Sequence, residues 1–378
     1  MDFHLSDEQA MLKESLSGWL ERNYGFDQWR KLTRRRPPQS AENWDSFAAM
    51  GWLRLSLPEE AGGMGLGALE ETNIGEAFGS RLVVEPYLSA IVLSAGLVAR
   101  AGTPAQRSAM LPAIGDGQLR IAFAFAEAES RFELSRIQTR AMRTEAGYAL
   151  SGRKILVLDA PGADRIMVLA RTAGEISAEA GLGLFIVDPA SQGASMHPYT
   201  TVDDRQAADI IFDRVIAEEA LGDPEAAYPA VAAATDRALV YLCAEGVGAM
   251  GALCEQTLAY VKIRKQFGQP IGDFQVIQHR IVDMRVQLEC ARALTLYAAS
   301  VSDGEPVERA RAASAAKAQV GRSARFVGRA AVQLHGGIGM TDELAVGHYF
   351  KRLLMVETML GDIDFHQKRF ASLPSELA

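Results

Sequence analysis

The chain has 378 residues, of which 48% are hydrophobic and 23% charged, and its formal net charge is -8 at pH 7. This length predicts two or three packed domains of an ordinary globular protein. The negative charge argues against a nucleic-acid-binding protein, because no basic stripe is present to neutralise phosphates. Its three cysteines form no metal-ligand pattern and are expected to be reduced, as in a cytoplasmic protein without a metal (Cys243, Cys254 and Cys290).

Residues 1–118 are predicted to form an N-terminal helical domain. Ser6 and Gln9 have the spacing of a helix capping box, and apolar residues follow at helical intervals. The first ten residues do not resemble a signal peptide, and no apolar run of the chain is predicted to span a membrane. We therefore expect a soluble, cytoplasmic protein.

Residues 119–222 are predicted to form a central β-domain. Short apolar runs such as Ile166–Leu169 and Leu184–Val187 are separated by turn residues such as Ser151 and Gly152. Short strands at this spacing predict a small antiparallel sandwich or barrel.

Residues 223–378 return to an alanine-rich helical pattern that predicts a C-terminal four-helix bundle. Gly246, Gly248 and Gly251 match the GxGxxG pattern of a dinucleotide-binding turn, but the helical pattern continues beyond them without a βαβ unit. We interpret them as small residues that let a neighbouring helix approach closely. The whole chain is thus predicted to have an α+β fold of helices, a β-domain and helices again.

Two segments of the C-terminal region have the character of a ligand site. The stretch Gln333–Gly339 places three glycines after a helix, which frees backbone N–H groups to approach a polar ligand. In the stretch Arg264–Gly268, an arginine offers a fork that matches phosphate oxygens, and a phenylalanine can flank a planar ring.

Together these segments resemble the acyl-CoA dehydrogenase family. The similarity rests on Arg264-Lys-Gln-Phe-Gly-Gln-Pro-Ile, on Phe274-Gln275, on Gln333-Leu-His-Gly-Gly-Ile-Gly and on the loop Leu57–Gly67. The resemblance implies that FAD lies mainly in a neighbouring subunit and is clamped by the C-terminal bundle of this one. The residues that it assigns to FAD are Arg264, Gln266, Phe267, Gln275, Gln333, Gly336 and Gly337.

The chain departs from this family where the chemistry occurs. The family removes the α-proton of an acyl-CoA with a glutamate near the C-terminus, and the matching position holds Leu360. The Trp-x-Thr stretch that packs on the flavin falls at about Leu156–Leu158 and has lost both residues. Both losses resemble the small subunits of heteromeric dehydrogenases that act on pimeloyl-CoA or steroid side-chain CoA thioesters. The resemblance implies a heterotetramer with a larger dehydrogenase-like subunit, and electron-transferring flavoprotein as acceptor.

Glu245 is the predicted replacement for the missing base. It interrupts an uncharged helical stretch, and burial raises the pKa of a carboxyl group towards values useful for a general base. Some family members carry their base on this helix, at the position that corresponds to Ala238. The alternative is an ion pair with an arginine of the bundle, such as Arg285 or Arg292. Glu357 and Asp362 are weaker candidates that are expected to face solvent.

Three hypotheses follow. The first is a heteromeric acyl-CoA dehydrogenase subunit that completes an FAD site at a subunit interface and supplies Glu245 as base. The second is a non-catalytic subunit that only clamps FAD and braces its partner. The third keeps the fold but acts as a flavin oxidase or monooxygenase.

Overall fold

The computed structural model describes residues 7–374, so Ser6 of the predicted capping box lies outside the described part. By its contacts the chain divides into two compact units that do not follow chain order. The first unit comprises Met1–Lys31, Gly67–Val83 and Leu239–Ala378, and the second comprises Leu32–Leu66 and Val84–Ala238. The domain boundaries at residues 118 and 222 stay a prediction.

The second unit is built on one sheet. Its strands are β1 (Ile121–Ala124), β2 (Arg140–Thr144), β3 (Gly147–Leu158), β4 (Arg165–Arg171), β5 (Leu182–Val187), β6 (Ala194–Thr200), β7 (Gln206–Ile216) and β8 (Glu219–Leu221). The strands run in the order β6-β7-β3-β2-β4-β5-β8, and β1 pairs with β4. Every residue of β5 and all but the first of β4 are buried, as in strands that are covered on both faces.

The sheet is mixed rather than antiparallel throughout. The pairs β2–β3, β3–β7, β4–β5, β5–β8 and β6–β7 are antiparallel, as predicted. The prediction is wrong for β1–β4 and for the single pairing of β2 with β4, which are parallel. A parallel pair needs a crossover connection, and the β2–β3 hairpin lies in the chain between β1 and β4.

The helices of the second unit are α3 (Ala41–Ala49), a π-helical segment (Tyr87–Ala95), α5 (Gly96–Ala101) and α6 (Pro104–Gly115). The first unit contains α1 (Asp7–Asn23), most of α2 (Phe26–Thr33), α4 (Ala68–Arg81), α8 (Gln275–Ser300), α9 (Pro306–His335), α10 (Ala345–Thr358) and α11 (Ile363–Ser372). Helix α7 (Tyr228–Ile263) begins in the second unit and continues into the first. Helical N- and C-terminal regions with a sheet between them confirm the predicted α+β fold class.

Close helix contacts in the first unit explain the glycines of the GxGxxG pattern. A Cβ atom built on Gly248 of α7 would lie 1.9 Å from the backbone oxygen of Glu76 in α4, and one on Gly79 of α4 would lie 1.9 Å from the oxygen of Glu245. A Cβ on Gly246 would meet a valine methyl group at 2.9 Å. The interpretation as contact residues inside a helix is confirmed for these positions. It is wrong for Gly251, where a Cβ would meet nothing within 4 Å.

Helix α7 also corrects the prediction that no apolar run could span a membrane. Its most apolar 18-residue window reaches a mean hydropathy of 1.4, which by length and composition is enough for a span. However, 78% of that window is buried inside the protein. Burial of this extent is typical of a core helix.

Candidate functional site

The segment Arg264–Gly268 forms a tight hairpin directly after α7. Strands β9 (Lys265–Gln266) and β10 (Gln269–Pro270) are joined by Phe267 and Gly268, whose φ angles are 53° and 84°. Two central residues with positive φ are typical of the two-residue hairpin turns that favour glycine. The Phe267 side chain at this turn is 93% exposed, so its ring is available to a ligand or to another chain.

The segment Gln333–Gly339 ends helix α9. The helix ends at His335, and Gly336 takes a φ of 65° before a 3₁₀ turn over Gly336–Met340. A Cβ on Gly336 or on Gly337 would meet nothing within 4 Å, so both backbones stand open to an incoming group. The Gln333 side chain one turn earlier is also exposed.

Tyr260 links the two segments. Its backbone oxygen accepts a hydrogen bond from the N–H of Arg264 at 2.9 Å, and its hydroxyl donates to the backbone oxygen of His335 at 3.3 Å. The rings of Tyr260 and His335 stack with centroids 4.3 Å apart. Burial lowers the pKa of His335, which favours the neutral imidazole that such stacking suits. These contacts hold the C-terminal end of α7, just before the Arg264–Gly268 hairpin, against the C-terminal end of α9, just before Gly336.

The predicted cofactor residues fit the phosphates and planar rings of a dinucleotide. Arg264 and Gln266 are exposed on the hairpin, and Gln275 is exposed as the first residue of α8. An exposed guanidinium, amide groups and open glycine N–H groups form a donor set for anionic oxygens. An exposed phenylalanine beside them suits a flat ring.

Glu245 lies in a buried ion pair, and its partner is Arg352 of α10. The Arg352 Nε donates to Glu245 Oε1 at 3.0 Å and the Nη2 donates to Oε2 at 2.7 Å, while the two side chains are 2% and 1% exposed. Both carboxylate oxygens therefore accept charge-assisted hydrogen bonds, and a general base needs a lone pair directed at its substrate. This geometry argues against the predicted base and favours the alternative of a structural ion pair.

The prediction that Arg285 or Arg292 forms this ion pair with Glu245 is wrong. Arg285 pairs with Glu289, and Arg292 pairs with Glu76 and Glu289. Neither arginine is paired with Glu245, because Arg352 reaches it from α10.

The loop at Leu360 keeps a defined backbone although it lacks the glutamate. Leu360 takes a φ of 58°, and its carbonyl accepts from the Nε2 of His366 at 3.0 Å. Burial, with a contribution from Lys317, lowers the pKa of His366 to about 3, so its ring is neutral. The buried amine of Lys317 donates to the carbonyls of Glu357 at 2.8 Å and of Gly361 at 2.5 Å. Within residues 7–374 the N–H of Leu360 has no acceptor.

The two weaker base candidates are also engaged. Glu357 is only 6% exposed, and its carboxylate accepts from the Arg325 guanidinium, so the expectation that it faces solvent was wrong. Asp362 is half-buried and caps α11 by accepting from the N–H of Phe365 at 2.8 Å.

Comparison with known proteins places these features in a family. The N-terminal, middle and C-terminal domain models of acyl-CoA dehydrogenase match residues 6–118, 122–215 and 230–371. The chain belongs to the acyl-CoA dehydrogenase family. Acyl-CoA dehydrogenase FadE12 of Mycobacterium tuberculosis (strain ATCC 25618 / H37Rv) is 29% identical over 350 residues, which cover 90% of this chain and 89% of FadE12.

Solved structures agree with the family. A variant of the Tcur3481-Tcur3483 steroid acyl-CoA dehydrogenase aligns with a TM-score of 0.87 at 28% identity and covers 97% of both chains. An FAD complex of PigA aligns with a TM-score of 0.87 at 25% identity over 98% of both chains.

The β-domain of this acyl-CoA dehydrogenase family member differs where the flavin-packing residues are expected. Leu156 stands at a bulge of β3 with a φ of 49°, and its N–H donates to Asp209 at 3.3 Å. Next to it, the buried Lys154 amine donates to Glu127 at 2.8 Å and to the carbonyl of Phe125 at 3.1 Å. The strand is thus held by an internal ion pair, and a leucine stands where the family's aromatic residue is expected.

Sequence reasoning missed two structural contributors to the site. Arg352 ends the stretch His348–Arg352, where an arginine next to a lysine gives no signal of burial. Tyr260 stands four residues before Arg264 on α7, so its helical spacing was the available signal.

Proposed function

We propose that this chain is one subunit of a cytoplasmic acyl-CoA dehydrogenase complex that catalyses FAD-dependent α,β-dehydrogenation of an acyl-CoA thioester. The observation that carries the proposal is the contact between Tyr260 and His335, which joins the two segments assigned to FAD. When bound, FAD would accept the hydride that leaves the β-carbon of the thioester. Electron-transferring flavoprotein is the expected acceptor of the electrons.

The residues of this chain have distinct tasks in the proposal. Arg264 binds the pyrophosphate oxygens, and the amide of Gln333 and the open backbones of Gly336 and Gly337 bind polar groups of the cofactor. The Leu360 N–H polarises the thioester carbonyl, since it stands at the family's base position without an acceptor in the described residues. Lys317 and His366 hold that loop in place through its carbonyls.

The carboxylate that removes the α-proton is proposed to come from a larger, dehydrogenase-like partner subunit. Three observations support this choice over the predicted Glu245: the ion pair of Glu245, the ion pair of Glu357 and the capping role of Asp362. The lost flavin-packing residues of the β-domain support the same division of labour. This division of labour corresponds to the second hypothesis, in which the chain is a non-catalytic subunit that binds FAD and supports its partner.

Flavin binding tests the proposal directly. We expect Arg264→Gln and Gln333→Ala each to weaken FAD binding about tenfold, because each removes a hydrogen bond to a charged or polar oxygen. The measurement is quenching of flavin fluorescence on titration with protein. Arg285→Gln is the matched control, because that arginine is exposed on α8 and, among residues 7–374, pairs only with Glu289. Unchanged FAD affinity in both clamp variants would refute the assignment.

A further inference from the structure

Lys317 of α9 places a buried amine beside the loop that contains Leu360. Its side chain is 1% exposed, and its Nζ donates to the carbonyl oxygens of Glu357 and Gly361. Among residues 7–374 this amine has no carboxylate partner at ion-pair distance. A buried charge without an ion-pair partner is costly, so stability alone does not explain a lysine at this position.

The two carbonyls that Lys317 contacts flank Leu360 in the chain. The Glu357 carbonyl belongs to the last turn of α10, where helix carbonyls lack intrahelical partners and form the negative end of the helix dipole. The Gly361 carbonyl belongs to the residue that follows Leu360. One ammonium group therefore joins both sides of the turn that carries the Leu360 N–H.

The loop packs tightly on both sides of this contact. Gly361 takes a φ of 116°, and a Cβ atom on it would lie 2.5 Å from the Nε2 of His366. Gly321 follows Lys317 by one turn of α9, and a Cβ atom there would lie 2.8 Å from the Cγ1 of Ile363. The loop is thus held between α9 and α11, with the Lys317 amine as a donor that a change of pH can alter.

Four titratable groups face this amine: Cys243 from α7, Glu357 from α10, Asp362 from the loop and His366 from α11. Burial lowers the pKa of Lys317 to about 8. Burial also raises the pKa of Cys243 to about 12 and lowers that of His366 to about 3, so neither changes charge between pH 7 and pH 9. Lys317 is therefore the group of this cluster whose charge changes just above neutral pH.

We propose that the ammonium group of Lys317 positions the Leu360 N–H for the thioester carbonyl, and that the proton on this amine regulates turnover of the complex. A neutral amine donates weaker hydrogen bonds than an ammonium group and has two N–H groups instead of three. Loss of the proton therefore loosens the turn between Glu357 and Gly361 and misplaces the Leu360 N–H. This inference rests on the proposed function, which gives the Leu360 N–H its task.

A positioning role and a purely structural role of Lys317 predict opposite responses to pH. Lys317 has a folded pKa of about 8 against 10.5 in the unfolded chain, so the unfolded chain binds more protons between these values. Its contribution to the free energy of unfolding therefore rises as the pH rises through this window. We expect turnover to fall over the same window, because the charged amine is lost. A purely structural role predicts that turnover follows stability.

The test is the pH profile of dehydrogenation by the purified complex from pH 7 to pH 9. The substrate is pimeloyl-CoA or a steroid side-chain CoA thioester, whichever the complex oxidises faster. We expect the kcat of the unaltered complex to fall up to about tenfold, the factor by which the charged form of a group with a pKa of about 8 declines in this range.

Three variants assign this fall in kcat to the charge of Lys317. Lys317→Met should have a low kcat that does not change with pH. Lys317→Arg should keep its kcat through pH 9, because a guanidinium stays protonated. If the larger arginine prevents folding, the comparison of Lys317→Met with the unaltered complex decides. Lys368→Met is the control, because Lys368 is exposed on α11, and it should behave like the unaltered complex.

Hydrogen exchange of the chain without substrate tests the turn separately from the reaction. The N–H of Met359 donates to the carbonyl of Met355 at 2.8 Å, so mass spectrometry of a peptide over residues 355–361 reports on the turn. At pH 7 we expect this peptide to exchange about tenfold faster in Lys317→Met than in the unaltered chain or in Lys368→Met.

The outcomes separate this inference from the proposed function. Unchanged exchange in Lys317→Met overturns the inference, as does a fall of kcat with pH that persists in Lys317→Met. Faster exchange together with an unchanged kcat at pH 7 also overturns it. A turn that loosens in a complex that oxidises neither thioester supports the hold of Lys317 on the loop and counts against the proposed function.

Discussion

Replacing Glu245 by glutamine keeps the size of the side chain but removes the negative charge that faces Arg352. The buried Arg352 guanidinium would then face one neutral amide oxygen, which can accept a hydrogen bond, and one amide NH₂ group, which cannot. The Arg352 Nη1 also donates to the sulfur of Met359 at 3.7 Å, which is a weak acceptor. Because both side chains are at most 2% exposed, we expect a loss of about 3–5 kcal/mol in the free energy of unfolding.

Denaturant unfolding followed by circular dichroism measures this loss. Glu289→Gln is the control, because it removes an exposed carboxylate and should cost less than about 1 kcal/mol. The double variant Glu245→Leu/Arg352→Met replaces the whole pair by apolar side chains and should recover most of the loss.

A catalytic role for Glu245 predicts a different pattern. Its loss would abolish dehydrogenation by the complex while stability stayed close to that of the unaltered chain. That combination would refute our assignment of Glu245 to a structural ion pair. We expect stability to fall, and we expect the turnover of the complex that remains folded to be retained.

Three other predictions concern single positions. Gly248→Ala should lower the free energy of unfolding by about 1–3 kcal/mol through overpacking, whereas Gly251→Ala should raise it by up to about 1 kcal/mol in thermal or denaturant melts. His366 has a folded pKa of about 3 against 6.5 unfolded, so the unfolded chain binds more protons between these values and stability falls as pH drops through this window. His366 should make the free energy of unfolding fall by about 1.4 kcal/mol per pH unit in this window. This contribution should be absent in His366→Gln, as measured by melts from pH 7 to pH 4. Tyr260→Phe keeps the ring stack but loses the hydrogen bond to His335, and FAD affinity should fall about fivefold in fluorescence titrations; an unchanged affinity would contradict the linking role.

The fold was accessible from sequence because its signals are local. The helical spacing of the C-terminal region and the turn residues between the short strands placed helices and sheet correctly. The parallel pairing of β1 with β4 was not accessible in the same way, because strand direction depends on a crossover rather than on a local pattern. The apolar length of α7 was misjudged although it can be read from the sequence. Its 78% burial, which is typical of a core helix, depends on neighbouring elements and could not be read along one helix.

The candidate site was predictable where backbone chemistry decides it. The three glycines after α9 predicted the open backbone that the structure has at Gly336. The hairpin turn at Phe267 was not predicted. The ion pair of Glu245 was not predictable from its uncharged neighbours on α7, because its partner Arg352 lies 107 residues away in sequence. A buried carboxylate has two explanations, and only the three-dimensional partner separates them.

The division of labour between two subunits is tested most directly by anaerobic reduction of the flavin. The chain alone, reconstituted with FAD, and the complex with its larger partner are each mixed with an acyl-CoA, and flavin absorbance near its visible maximum is followed. We predict that the complex loses this absorbance and that the chain alone retains it. Rapid bleaching of the flavin by the chain alone would show that this subunit supplies its own base and would contradict the account.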